Sequence, residues 1–150
     1  KVELMENKLF FVGGKEADFD KVPLQNKEFE KLPLIYREEG SATRNAMEDF
    51  IKKNKLPVRK KIELTSNEAV KQAVIAGLGY SVMPLIGIKN ELKSGDVKVI
   101  SVSGLPISTT WHLIWLKSKK LSPAAVGYLE FIRNNKSRII GDKFNWTEGY

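Results

Sequence analysis

The segment Leu32-Pro33-Leu34-Ile35-Tyr36, continued by Arg37-Glu38-Glu39-Gly40-Ser41-Ala42-Thr43-Arg44, decides the fold. Its apolar opening reads as a strand, Gly40 breaks it, and Ser41 supplies the hydroxyl of a helix N-cap. Ala46, Met47, Phe50 and Ile51 then recur at helical spacing, with Lys52, Lys53 and Lys55 placed where the helix dipole favours cations. The pattern of strand, tight loop and helix repeats at once. Val58, Lys60, Ile62 and Leu64 alternate with Arg59, Lys61 and Glu63, as a half-buried strand requires. Thr65 and Glu68 have capping-box spacing, Ala69, Val70, Ala73 and Val74 form an apolar helix face, and Gly77 stands where a left-handed C-terminal residue belongs.

The same alternation extends outward in both directions. Upstream, Leu9 to Val12 is a short apolar run stopped by Gly13 and Gly14, read as a buried strand, and a polar connector runs from Lys15 to Lys31. Downstream, Tyr80 to Met83 is a short strand, Pro84 opens a helix through Lys93 that ends at Ser94 and Gly95, and Val97 to Val102 is a further strand. A polar turn region from Ser103 to Thr110 leads to the apolar run Trp111 to Leu116. Ser122 and Pro123 then open a last helix, whose apolar residues are Val126, Leu129, Phe131 and Ile132. Lys136 to Tyr150 shows no period. Strands alternating with helices predict an α/β fold with a parallel or mostly parallel sheet and helices on both faces.

The chain of 150 residues, 42% hydrophobic, is long enough for a sizeable core without disulfides or metal. It has no cysteine, which excludes a disulfide scaffold, a thiolate nucleophile and cysteine-ligated metal, and a single histidine, His112, which excludes the usual multi-histidine centre. His112 lies in an apolar run beside Trp111, so no Ser-His-acid set forms around it, and no catalytic residue is assigned. Gly77-Leu78-Gly79 lacks the spacing of a dinucleotide loop and reads as a helix C-cap. A net charge of +7 fits an anionic partner. No apolar run approaches the roughly 18 residues of a membrane span, and Lys1 to Asn7 does not read as a secretory signal.

Ligands of an open parallel sheet settle beyond the carboxyl ends of its strands, where loops enter helices. Two such loops carry small hydroxyl residues: Arg37 to Arg44, and Leu64 to Asn67. Each helix N-terminus offers unpaired amides and a partial positive charge to an anion. The competing reading of each Ser or Thr is plain capping. The adjacent acids Glu38 and Glu39 are expected to point apart rather than to cooperate.

These segments, with Glu63 to Val74, Ala76 to Pro84, the Trp111 to Leu116 strand and the helix start at Leu121 to Ala125, resemble the effector-binding domain of LysR-type transcriptional regulators. The ordered match runs from about Lys8 to Arg133. The resemblance implies a type II periplasmic-binding-protein-like α/β fold, with one complete subdomain over 32–110 and part of a first subdomain over 1–31 and 111–136. The remainder, 137–150, reads as a C-terminal tail. By position, the resemblance places ligand contacts on Arg37, Glu38, Ser41, Thr43, Thr65 and Ser66. It further implies a small anionic effector, no cofactor, a cytoplasmic homo-oligomer, and operator DNA gripped only through an N-terminal winged helix-turn-helix. Self-association is also expected, because a first subdomain without its opening strands would leave strand edges and apolar stretches such as Leu9 to Val12 and Trp111 to Leu116 poorly covered. The alternatives are a solute-binding protein of the same fold, an enzyme of that fold such as prephenate dehydratase, which shares Thr43-Arg44 but not the residue after it, and a direct DNA-binding module.

Overall fold

The computed structural model describes residues 1–19 and 23–150 and, among these, all side chains but that of residue 61. The central part of the connector read between Lys15 and Lys31, residues 20–22, lies outside the described residues. The chain divides into two compact units, one made of Lys8–Ser108 and the other of Lys1–Asn7 with Thr109–Tyr150.

The unit Lys8–Ser108 is built on β2 (Pro33–Arg37), α1 (Ala42–Lys53), β3 (Arg59–Leu64), α2 (Asn67–Ile75), β4 (Ser81–Pro84), α3 (Lys89–Ser94) and β5 (Val97–Val99), together with the second half of β1 (Val2–Gly14). β2 and β3 pair in parallel, with Arg37 opposite Leu64. β1 pairs antiparallel with both β4 and β5. A parallel bridge from Leu34 to Tyr80 joins the two ladders: Ile35 N–H donates to Tyr80 O at 2.8 Å, and Tyr80 N–H to Pro33 O at 2.9 Å. The sheet therefore runs in the order β3-β2-β4-β1-β5, with β1 alone opposed to the other four. The expected mostly parallel sheet thus has a reversed strand near its centre. A central strand that enters before the repeating units has no crossover to fix its direction, so period and composition carry no sign of it.

β1 is buried on both faces from Leu9 to Val12, which is why this stretch reads as a continuous apolar run. Leu9 and Phe11 pack with Leu34, Tyr36, Val82 and with Met47 of α1 in one cluster. Phe10, Val12, Ile35 and Met83, of opposite parity, are buried outside it, as are Val70, Ala73 and Val74 of α2, which packs on β2 and β4. The expectation that Leu9 to Val12 would be poorly covered is therefore corrected. Pairing on both sides by β4 and β5 also assigns Lys8 onward to this unit rather than to the other.

The other unit holds the first residues of β1, β6 (Ile107–Leu113) from Thr109 onward, α4 (Pro123–Lys143) and a 3-10 turn at Asn145–Gly149. β6 begins earlier and ends earlier than the apolar run Trp111 to Leu116, leaving Ile114 and Leu116 exposed beyond it. His112 is exposed on β6, its ring Nδ1 3.0 Å from Thr110 O. Ser122 caps α4 as expected, its Oγ accepting from Ala125 N–H at 3.2 Å. The helix continues through Lys143 and corrects the reading of 137–150 as an aperiodic tail. Ile132, Lys136, Ile139, Ile140 and Phe144 line an apolar pocket of about 210 Å³ with Leu4, Met5 and Trp111. The period is present, but a lysine stands at one of its positions. The stem of Lys136 lines the pocket while its ammonium donates to Glu3 O at 3.0 Å.

The joint between the two ladders depends on Gly79. A Cβ there would lie 2.5 Å from Pro33 O, the acceptor that Tyr80 uses, and a backbone atom has no room to give. Gly79→Ala is expected to lower the unfolding free energy by roughly 1–3 kcal/mol, the usual cost of overpacking. Gly87→Ala, where a Cβ meets nothing within 4 Å, should stay within about 0.5 kcal/mol. Urea denaturation with an unchanged m-value is the measurement.

Candidate functional site

The carboxyl ends of β2 and β3 lie side by side, and each feeds a helix N-terminus. Ser41 caps α1, its buried Oγ accepting from Arg44 N–H at 3.4 Å, so the amides of Ala42 and Thr43 have no partner within the helix. At α2 the cap is Ser66, not Thr65. Ser66 Oγ accepts from Ala69 N–H at 3.0 Å, and Glu68 accepts from Gln72 instead of closing a capping box. The sequence offers two adjacent hydroxyls, and spacing to Glu68 favours the first, but the helix begins one residue later. The correction has a chemical consequence. Thr65 is exposed at the strand end, and its hydroxyl makes no hydrogen bond to any described residue.

Arg37 connects the two loops. Its Nη1 donates to Asn67 Oδ1 at 2.5 Å, while Nε and Nη2 donate to the two oxygens of Glu38 at 2.7 and 2.8 Å. Glu38 and Glu39 do point apart: the Glu39 side chain is 89% exposed and its carboxylate comes no closer than 4.0 Å to the Arg44 guanidinium. The bidentate bond from Arg37, aided by a backbone amide, holds the Glu38 carboxyl well below the usual range, at about 2.

Arg44 is the positioning residue that sequence reading left out. It is buried, and its guanidinium donates to Glu48 at 2.8 Å, to Glu63 at 2.7 Å and to the carbonyl of Arg37 at 3.0 Å. It also lies 5.5 Å from the centroid of the Tyr36 ring, as does the Lys60 ammonium, and Lys60 donates to the same Glu63 oxygen at 2.6 Å. Lys60 first and Arg44 second hold the Glu63 carboxyl below its ordinary value. One side chain of α1 thus fixes the last carbonyl of β2 against β3. The i,i+4 link to Glu48 is visible in the sequence, whereas the link to Glu63 needs the parallel pairing to be known.

Arg37, Glu38, Ser41, Thr43, Thr65 and Ser66 therefore lie on two neighbouring loops at one sheet edge, with Asn67 as an added member. Such an arrangement can hold a small anion by free amides, hydroxyls and a guanidinium. Among the described residues no cluster of His, Asp and Glu suits a metal ion, and no helix is long and apolar enough to cross a membrane.

Ser66→Ala should cost about 1 kcal/mol through loss of the cap, and Thr65→Ala less than about 0.5 kcal/mol, both read from thermal or denaturant melts. The Glu38 carboxyl, followed by carbon-13 NMR, should titrate near 2 and return to the ordinary carboxylate range in Arg37→Gln. Because the folded value is depressed, the pair's contribution is complete above the unfolded carboxylate value and is lost as pH falls through about 2.

Comparison with known proteins gives this geometry its family. The chain is 43% identical over 100 residues to the HTH-type transcriptional activator CmpR of Synechocystis sp. (strain ATCC 27184 / PCC 6803 / Kazusa), covering 67% of this chain and 33% of that protein. It is 42% identical over 106 residues to a RuBisCO operon transcriptional regulator of Allochromatium vinosum, covering 71% and 35%. The chain thus spans about a third of the length of the curated relatives it matches. Among solved structures, the CcmR regulatory domain of Synechocystis PCC6803 in complex with 2-PG superposes with a TM-score of 0.81 at 26% identity, covering 89% of this chain and 65% of that one. The apo regulatory domain of HypT from Salmonella typhimurium shares the fold, with a TM-score of 0.73 at 17% identity over 91% of this chain and 65% of that one. The family model described as the LysR substrate binding domain matches residues 1–137, and by that match the chain belongs to the effector-binding domains of LysR-type transcriptional regulators.

Proposed function

We propose that this chain senses a small anionic effector at the carboxyl edge of β2 and β3, and that binding there sets how a helix-turn-helix domain of the same regulator grips operator DNA. The observation that carries the reading is the convergence of two capped helix N-termini at adjacent strand ends, joined through Arg37 to Asn67. Free amides of Ala42, Thr43, Asn67 and Glu68 supply partial positive charge, each terminus being worth about 0.3–1 kcal/mol to a nearby anion. The hydroxyls of Thr43 and Thr65 add donors, Ser41 and Ser66 hold the amides in place, and Arg37 supplies a full charge.

Support also comes from the relatives. CcmR's regulatory domain holds 2-PG, and the curated relatives named above are regulators by name, which favours regulation over an enzyme or a transported solute. An effector acts by binding one arrangement of the regulator more tightly than another, so its affinity difference is what reaches the DNA. On this reading the chain needs no cofactor, performs no catalysis, and works in the cytoplasm within a homo-oligomer.

Thr65 gives the cleanest test, because it caps nothing. With 2-PG as the probe in isothermal titration, Thr65→Ala should weaken binding roughly tenfold, as loss of one hydrogen bond to a charged group implies. Thr65→Ser should retain most of the affinity and both variants the stability of the parent. Unchanged affinity in Thr65→Ala removes Thr65 from the site, and absence of binding by every anion tried, 2-PG and sulfate included, removes the reading.

A further inference from the structure

Arg37 stands between the two helix N-termini, yet its fork is already filled. Nε and Nη2 hold both oxygens of Glu38, and Nη1 holds Asn67. The parallel two-bond geometry on Glu38 is the one by which a guanidinium recognises a carboxylate or a phosphate. Both partners are partly shielded, with side-chain exposures of 17% for Arg37 and 34% for Glu38. Glu39, the next acid, does not touch Arg37 and is almost fully exposed.

We propose that Glu38 is a specificity-determining residue that acts as a built-in competitor: it occupies the place on Arg37 that the effector's acid group must take, so only an anion able to displace a tethered carboxylate engages the cation. This deepens the proposed anion site and rests on it. A carboxylate on the neighbouring residue has an effective concentration of millimolar or more, so a weakly held monoanion in solution competes poorly. A phosphate dianion brings more charge to the same fork. The Arg37–Asn67 bond need not break during the exchange, so the guanidinium keeps its seat beside α2 while its other edge changes partner. Arg44 holds the Arg37 carbonyl, which keeps the backbone of the fork fixed in both states. Glu38 thus sets a threshold of charge below which a ligand is ignored, rather than serving as a contact to it.

The test is an NMR titration of the full chain with inorganic phosphate at about 0.1 M chloride, following the amides of Thr43 and Asn67, in the parent, Glu38→Gln, Glu39→Gln and Glu38→Gln combined with Arg37→Gln. Glu38→Gln should tighten phosphate binding roughly two- to fivefold, the upper part of the range expected for releasing a partly exposed ion pair. Glu39→Gln, which removes the same charge from an exposed position, should change it less than about twofold. The gain should vanish in the double variant, since without Arg37 there is nothing to release. If both amides shift in the parent but Glu38→Gln binds equally or more weakly, the competitor role is wrong and the anion site stands. A gain of the same size in Glu39→Gln, or one that survives loss of Arg37, reduces the effect to net charge and also overturns it. If neither amide shifts in any of the proteins, the anion site and the competitor role fall together.

Discussion

The carbonyl of Pro33 carries the joint on which the sheet depends. It accepts from Tyr80 N–H, and only because residue 79 has no side chain can that amide approach. With that bond and its neighbour from Ile35 N–H to Tyr80 O, the parallel pair β2–β3 becomes continuous with β4, β1 and β5. Ser81 adds a buried donor to the Ile35 carbonyl at 2.7 Å. Everything at the carboxyl edge of β2 inherits its position from this seam, including Arg37, because a strand shifted by one residue would send its side chains to the other face.

Above the seam, charge does the positioning. Arg44 is buried with acidic partners from α1 and β3, and a buried cation is tolerated only when paired and hydrogen-bonded. Its contacts hold the site's backbone, whereas Arg37, at the mouth of the same loop, is half-committed to Glu38. Two arginines separated by a single helix start thus have opposite roles. Arg44 grips a backbone carbonyl, that of Arg37, besides the carboxylates of Glu48 and Glu63, whereas the bonds of the Arg37 guanidinium go to side chains, Glu38 and Asn67.

Much of this was legible in the residues. The repeated strand, loop and helix, the caps at Ser41 and Ser122, and the positive φ of Gly77 and Gly95 at helix ends follow from local chemistry that acts over a few residues. The direction of β1 was not legible, because pairing direction depends on residues far apart in the chain. The α2 cap was misplaced by one residue, since Thr65 and Ser66 offer the same hydroxyl and only the register of β3 decides between them. The later turns of α4 were hidden by Lys136, whose charge masks a stem that fills an apolar position. For the site, the loops and their hydroxyls were readable. The pairing of Arg37 with both Glu38 and Asn67 was not, because it joins an adjacent residue to one on another strand's loop.

The reversed strand has a consequence for how the chain is made. Leu9 to Val12, four consecutive buried apolar residues, is synthesised before its partners at Ser81–Pro84 and Val97–Val99. At about 5–20 residues per second of synthesis, the last of these follows roughly 4–17 s later. During that interval the central strand has no ladder to join, and four consecutive apolar residues face the solvent or a chaperone. Contacts so distant in sequence also make folding slow once the chain is complete. The sheet closes around β1 only once β5 has been made, so a strand buried on both faces in the fold is exposed to aggregation before the core exists.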